Sequence, residues 1–243
     1  MKKGLVLAGG LGTRLLPATA VLNKHMIPIL NRPMILYPLE TLKSFGITDA
    51  MVVTGGDHIG SIAEFLGDGS TYGVNLTYRV QKEAGGIAQA LGLAKDFAGD
   101  DPIMVILGDN IFDNTALATY TNIKEPDLHA VIYIKEVERA NRFGVYMQKE
   151  TGLGTIIEKP ADIQKGNAVT GLYTYPPDVF DLINTLVPSA RGELEITDVN
   201  NHYLKTARCT VRTIHSFWSD AGTPESLKEV IDWAYIHHNG NQY

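Results

Sequence analysis

Apolar positions along the chain gather into short runs, and between them lie stretches in which apolar residues recur at helical spacing. Short apolar runs bounded by turn residues predict strands at 3–8, 50–54, 76–80, 103–107, 130–135, 169–175 and 210–214. Several of these are apolar without alternation, the pattern of strands covered on both faces and therefore of a mostly parallel sheet. Helical spacing predicts helices at 34–45, 87–97, 177–186, 195–205 and 224–237. The first has Pro33 at its start and Gly46 just past its end, the asymmetry expected of helix boundaries. Strands and helices in alternation predict an α/β fold with helices layered on a central sheet. The stretch 139–160, with Gly144, Gly152 and Gly154, reads instead as a hairpin inserted into that body.

Composition narrows the class. A chain of 243 residues without internal repeat, low-complexity tract or long polar linker is expected to form one domain, 1–243. Cys209 is the only cysteine, which excludes a disulfide framework and a cysteine-rich zinc site. No apolar run approaches the roughly 18 residues of a membrane span, and the N-terminus carries no cleavage-site pattern, so no membrane partner and a cytoplasmic location are expected. The net charge of −6 argues against a nucleic-acid-binding face. Any phosphate site must be local.

The candidate is the run Leu7-Ala8-Gly9-Gly10-Leu11-Gly12-Thr13-Arg14, a strand feeding a glycine-rich turn. Glycines let backbone N–H groups approach a phosphate, and the carboxyl ends of strands are where open α/β sheets bind ligands. Leu15 stands where a dinucleotide motif needs its third glycine, and no Gly-Lys-Ser/Thr follows to make a P-loop. The glycines alone fit an empty tight turn equally well. However, Pro17, Pro28 and Pro33 break any helix across 11–33, and long irregular crossings inside a domain are usually functional. This one carries Arg14, a planar fork of donors, and Lys24, a compact charge; both suit a triphosphate tail. The histidines show no HExxH spacing, so zinc catalysis is not expected.

The loop 7–15 followed by Lys24 and Pro28 resembles the signature of the sugar-1-phosphate nucleotidyltransferases. The likeness continues in order through Gln81 with Gly86-Ile87-Ala88-Gln89-Ala90, Leu107-Gly108-Asp109-Asn110, Arg142-Phe143-Gly144-Val145, Glu158-Lys159-Pro160 and Val169-Thr170-Gly171. It ends with Arg191-Gly192-Glu193-Leu194-Glu195 and Trp218-Ser219-Asp220-Ala221-Gly222-Thr223, and it is greatest to the glucose-1-phosphate thymidylyltransferases. The resemblance implies a Rossmann-like sheet with the hairpin on the sugar side. It also implies a nucleotide-binding half at about 1–110, a sugar-phosphate-binding half at about 111–243, and a homo-oligomer, dimer or tetramer. It implies that Leu7, Ala8, Gly9, Gly10, Gly12, Thr13, Arg14, Gln81, Gly86 and Asp109 contact the nucleotide. Gly144, Glu158, Lys159, Thr170 and Arg191 would hold the sugar 1-phosphate, and Mg2+ would bind Asp109 and Asp220. Arg14, Lys24, Asp109 and Lys159 would carry catalysis.

The residue chemistry agrees with those implications. An amide at Gln81 offers a donor and an acceptor together to a pyrimidine edge, and Glu158 can accept from sugar hydroxyls. Mg2+ takes a few carboxylates plus substrate oxygens and water, so two aspartates suffice. The implied reaction is attack of a sugar 1-phosphate oxygen on the α-phosphorus of an NTP. That nucleophile is already ionised and needs no general base, which fits a chain with no Ser-His-Asp constellation. His25 stands where related enzymes commonly carry Gln, and 82–85 departs from their loop, which leaves UTP or another sugar phosphate open beside dTTP and glucose 1-phosphate. A regulator that binds without turnover and an NAD-binding Rossmann enzyme are the other readings. Longer relatives continue past the helix at 224–237 with further helices, which leaves a regulatory site built there open.

Overall fold

The computed structural model describes residues 2–56, 59–120, 128–149 and 154–237. The chain opens with β1 (Lys3–Ala8) and an irregular crossing with 3-10 turns at Thr13–Leu15, Ala18–Ala20 and Lys24–Met26. Two short strands, β2 (Pro28–Ile29) and β3 (Arg32–Pro33), end that crossing. Next come α1 (Leu36–Ser44), β4 (Asp49–Gly55), α2 (Ile59–Leu66), β5 (Asn75–Gln81), α3 (Ile87–Gly92) and α4 (Lys95–Ala98). They lead to β6 (Ile103–Leu107), β7 (Asn110–Phe112) and α5 (Asn114–Leu117). The second half holds β8 (Ala130–Val137), β9 (Gly144–Gln148), β10 (Gly154–Glu158) and β11 (Gly166–Tyr175). It closes with α6 (Val179–Ile183), α7 (Ile196–Lys205), β12 (Cys209–Thr213), β13 (Trp218–Asp220) and α8 (Pro224–His237).

Each predicted strand is present within a few residues of its expected ends. β5, β4, β1 and β6 lie side by side and parallel, with β1 in the middle. Chain order runs from β1 outward to β4 and β5 and then returns to β6 on the other flank. The sheet therefore reverses direction between β1 and β6, the point where open α/β sheets leave a crevice at their carboxyl ends. Gly9 follows β1 directly, and Asp109 lies two residues past β6. Beyond β6 the sheet turns antiparallel through β11, which pairs with β6, β8 and β9. The hairpin forms as β9 and β10, with Glu158 opposite Gly144; its tip, including Gly152, lies outside the described residues.

Residues of β1 alternate between two cores, Leu5 and Leu7 packing on one face, Val6 and Ala8 on the other. This is why its run reads as continuously apolar. α3, α6 and α7 cover the first face, α1 and α2 the second. A third cluster, Leu15, Ile27, Ile29, Met34 and Tyr37 against Val230 and Ala234 of α8, pins the crossing to the body. The predicted helix 87–97 is broken into α3 and α4 just after Gly92, a poor helix former. α2 was not among the predicted helices: it is short and contains Gly60, and only Ile62 and Leu66 of it are buried. Among the described residues no helix is long and apolar enough to cross a membrane.

Candidate active site

Two cavities meet at the reversal between β1 and β6. The smaller, about 240 Å³, is lined by Leu7, Gly9, Gly10, Lys24, Gln81, Gly86 and Asp109, among others. The larger, about 660 Å³ and within the size range of ligand pockets, opens toward the hairpin. Ile87, Leu107, Asp109 and Glu193 belong to both walls, so the two form one cleft with Asp109 at the junction.

The smaller cavity is shaped by close backbone approach. A Cβ on Gly9 would stand 2.9 Å from Gln81 Oε1, so only glycine leaves the amide its place. The Gln81 amide donates to Gln89 Oε1 at 2.7 Å and to the Gly86 carbonyl at 3.3 Å. Gly86 has φ +97° and sits against the backbone of Leu194, whose N–H donates to Gly85 O and whose carbonyl accepts from Ala88 N. The loop at 84–86 is thus tied to the segment at 191–195, about a hundred residues away, through main-chain hydrogen bonds.

Asp109 is nearly buried, and Lys24 Nζ lies 2.6 Å from its Oδ2. Burial pushes this carboxyl up, but the charges of Lys24 and His25 and the hydrogen bonds from Lys24 and Asn110 outweigh it and hold the group well below the usual carboxylate range. Asp220 arrives from β13, paired antiparallel with β7 so that Asp220 lies opposite Asn110. Burial pushes it up to about 6, with Arg142 opposing and the charge of Asp109 adding. The two carboxylates converge on one point. A Cβ placed on Gly222 would lie 3.3 Å from Asp220 Oδ2, 3.4 Å from Asp109 Oδ2 and 3.0 Å from Arg14 Nη2. The missing side chain of Gly222 leaves a space walled by two hard oxygen ligands, which fits a divalent cation of the Mg2+ kind. Among the described residues no group of three or more His, Cys, Asp or Glu side chains is gathered for a metal, so any further ligands would come from substrate and water.

On the hairpin side Thr197 donates to Glu158 Oε2 at 2.6 Å, and Lys159 Nζ lies 3.4 Å from Glu158 Oε1. Arg191 grips Glu195 through Nε and Nη2, at 2.8–3.2 Å, and lies 3.6 Å from Glu158 and 3.7 Å from Glu193. Lys159 is held at φ +44°, a left-handed backbone that costs a non-glycine residue energy and turns up at ligand sites.

Of the residues singled out from the sequence, Leu7, Gly9, Gly10, Lys24, Gln81, Gly86 and Asp109 line the smaller cavity. Thr13, Arg14, Gly144, Glu158, Lys159, Arg191 and Asp220 line the larger. Three lie elsewhere. Ala8 is buried beneath the loop, because alternation along β1 turns it to the far core. Gly12, at φ +68°, lines neither cavity; its carbonyl accepts from Thr19 Oγ1. Thr170 is fully buried and donates to the Tyr133 carbonyl at 2.9 Å, while its neighbours Val169 and Gly171 face the cleft. Thr13 and Arg14, expected at the nucleotide, stand on the hairpin side of Asp109.

Two residues escaped the sequence reading as site residues. Asn110, nearly fully buried, donates through Nδ2 to Asp109 Oδ1 at 3.0 Å, and its Oδ1 accepts from Gly171 N at 2.8 Å and Trp218 Nε1 at 2.7 Å. The register shift in β11 between Val169 and Tyr173 accompanies that Gly171 bond. Arg142 Nη2 lies 3.0 Å and 2.9 Å from the two oxygens of Asp220. A polar residue beside Asp109 and an arginine before Phe143 were visible signals; their partners, 61 to 108 positions away, were not.

The family model for nucleotidyl transferases matches residues 3–234. The glucose-1-phosphate thymidylyltransferase of Neisseria meningitidis is 39% identical over 98% of this chain and 84% of its own length. The low-salt glycan biosynthesis nucleotidyltransferase Agl11 of Haloferax volcanii is 40% identical over 93% of this chain, which spans 64% of that relative. Among solved structures, a Bacillus anthracis chain assigned as a glucose-1-phosphate thymidylyltransferase, in complex with sucrose, superposes with a TM-score of 0.88. It is 46% identical over 100% of this chain and 98% of that one.

Proposed function

Because the chain belongs to the nucleotidyl transferase family, we propose that it transfers a thymidylyl group from dTTP to glucose 1-phosphate, yielding dTDP-glucose and pyrophosphate. The observation that carries this reading is the convergence of Asp109, Asp220 and Arg14 on the space above Gly222, with Asp109 at the junction of the two cavities. The smaller cavity, walled by Gly9, Gln81 and Gly86, is read as the base and ribose site. The larger, walled by Gly144, Glu158, Lys159 and Arg191, is read as the sugar phosphate site. The halves 1–110 and 111–243 of a single domain would then each supply one substrate site.

In this reading Asp109 and Asp220 hold Mg2+, which when bound neutralises phosphate oxygens as charge develops on them. Gln81 pairs with the pyrimidine edge. Glu158, fixed by Thr197, accepts from sugar hydroxyls, and Lys159 neutralises the attacking phosphate. Arg14, exposed at the mouth of the larger cavity, stabilises charge at the attacked phosphorus and on the departing pyrophosphate. The acceptor phosphate is already anionic, so no residue has to remove a proton. Pyrophosphate release measured with the common NTPs against a panel of sugar 1-phosphates tests the assignment. The expected result is highest kcat/KM for dTTP with glucose 1-phosphate; preference for UTP or for another sugar replaces the substrates, and release from no pair removes the activity.

A further inference from the structure

Both carboxylates read as metal ligands already hold a cation supplied by this chain. Lys24 serves Asp109 from a buried position under the glycine loop, its Nζ 3.3 Å from where a Cβ on Gly10 would stand. Arg142 serves Asp220, but its surroundings differ. It ends a 3-10 turn at Ala140–Arg142, is only half-buried, and its guanidinium lies 5.2 Å from the Phe143 ring centroid. It lines the larger cavity and also a second cavity of about 460 Å³ behind Asp220. Glu138, Glu225 and Glu229 are on the wall of that second cavity, with Lys135 and Arg139. Lys135 donates to the Ser216 carbonyl, and Glu229 accepts from Ser219. Glu225 is held low first by local hydrogen bonds at the helix start, then by the charge of Arg139 and last by that of Arg142.

We propose that Arg142 is a built-in counter-ion for Asp220 which a divalent cation displaces into the cavity lined by Glu225 and Glu229. The inference rests on the metal reading above. A nearly buried carboxylate left without a partner is unstable, so before a cation arrives Asp220 needs a charge beside it. Arg142 meets that need with one nitrogen shared between both oxygens, and a cation seated between Asp220 and Asp109 competes for those same oxygens. The acidic wall behind gives the released guanidinium a second place where exposed carboxylates can pair with it. Arg142 thus acts through Asp220 and is a positioning residue: it holds the carboxylate in the folded, cation-free protein and sets how tightly the cation binds.

Titration of the whole protein with Mn2+ alone, read by electron paramagnetic resonance, tests this without turnover. Arg142→Gln is expected to bind Mn2+ about tenfold more tightly than the unchanged protein, since a half-buried competitor for Asp220 has been removed. Arg139→Gln, which removes a nearby charge that makes no hydrogen bond to Asp220, calibrates the through-space effect and should change affinity far less. The double variant Arg142→Gln with Asp220→Asn should lose the gain, which separates it from binding by a damaged fold. Equal affinity in Arg142→Gln and Arg139→Gln, or a gain that survives Asp220→Asn, overturns the proposal. Asp220→Asn alone examines the underlying metal site: if it binds Mn2+ as the unchanged protein does, the metal reading fails, whatever Arg142 does.

Discussion

The two cavities of this cleft are built on opposite principles. The one under the glycine loop is made of parallel strand ends and main-chain groups, with Gly9 and Gly86 placed where a side chain would collide with Gln81 or Leu194. Its shape is preformed, and Lys24 and Asp109 form an ion pair within it. The one toward the hairpin is a web of side-chain charges: Arg142 on Asp220, Lys159 on Glu158, and Arg191 among Glu158, Glu193 and Glu195. Each of those three cations is held by a carboxylate, so an anionic ligand that engages one of them must exchange partners with it. Steric exclusion suits recognition of a flat, uncharged base. Exchangeable ion pairs suit a phosphate whose charge has to be matched during reaction.

Substitutions can break this contrast, beginning at the junction. Arg14→Ala should lower turnover about 10²–10³-fold, as expected for loss of a preorganised charge on the reacting group, with unchanged circular dichroism because the side chain is exposed. Near-normal pyrophosphate release would remove Arg14 from the chemistry. Gly222→Ala puts a methyl group into the space between the carboxylates and should raise the Mn2+ concentration for half-maximal binding about tenfold. Unchanged Mn2+ binding would mean that the cation, if any, sits elsewhere.

A more diagnostic effect separates the two cavities. Gly9→Ala, pressing on Gln81, should raise KM for the nucleotide about tenfold and leave that for the sugar phosphate near its starting value; Arg191→Ala should do the reverse. If both variants shift both constants together, the main-chain tie between 85–88 and Leu194 couples the sites and the contrast is wrong. The last test lies outside the cleft, at Cys209 on β12, which lines neither cavity. Burial pushes its thiol up to about 12, so at pH 8 the native protein should react with a disulfide reagent about a thousandfold more slowly than the unfolded chain. Rapid native labelling accompanied by loss of turnover would place a reactive thiol near the chemistry.

Much of the fold was legible because it rests on short-range regularities. The apolar run at 3–8 is continuous since both faces of β1 are covered, and the helix at 224–237 carries its Pro start in the sequence. What failed was also local in origin: Gly92 splits a helix whose apolar spacing runs on unbroken, and α2 is too short and glycine-bearing to stand out. At the site, Gly9, Gly10, Lys24, Asp109 and Glu158 were read from their type and context and do line the cleft. Ala8 and Thr170, implied by the resemblance, turn their side chains away from the cleft because alternation along a strand sends neighbouring side chains to opposite faces.

By itself, then, the sequence determined the strand–helix alternation, the glycine turn after the first strand and the identity of the acidic and basic groups, because each depends on residues within one turn or one strand. Only the tertiary structure decided which charge meets which: that Lys24 faces Asp109, Arg142 faces Asp220, Asn110 anchors Gly171 and Trp218, and Gly222 leaves the space between the two aspartates. Those pairings depend on strand order and register across 78 to 108 positions of chain for the longest of them, where no periodicity in the sequence reaches.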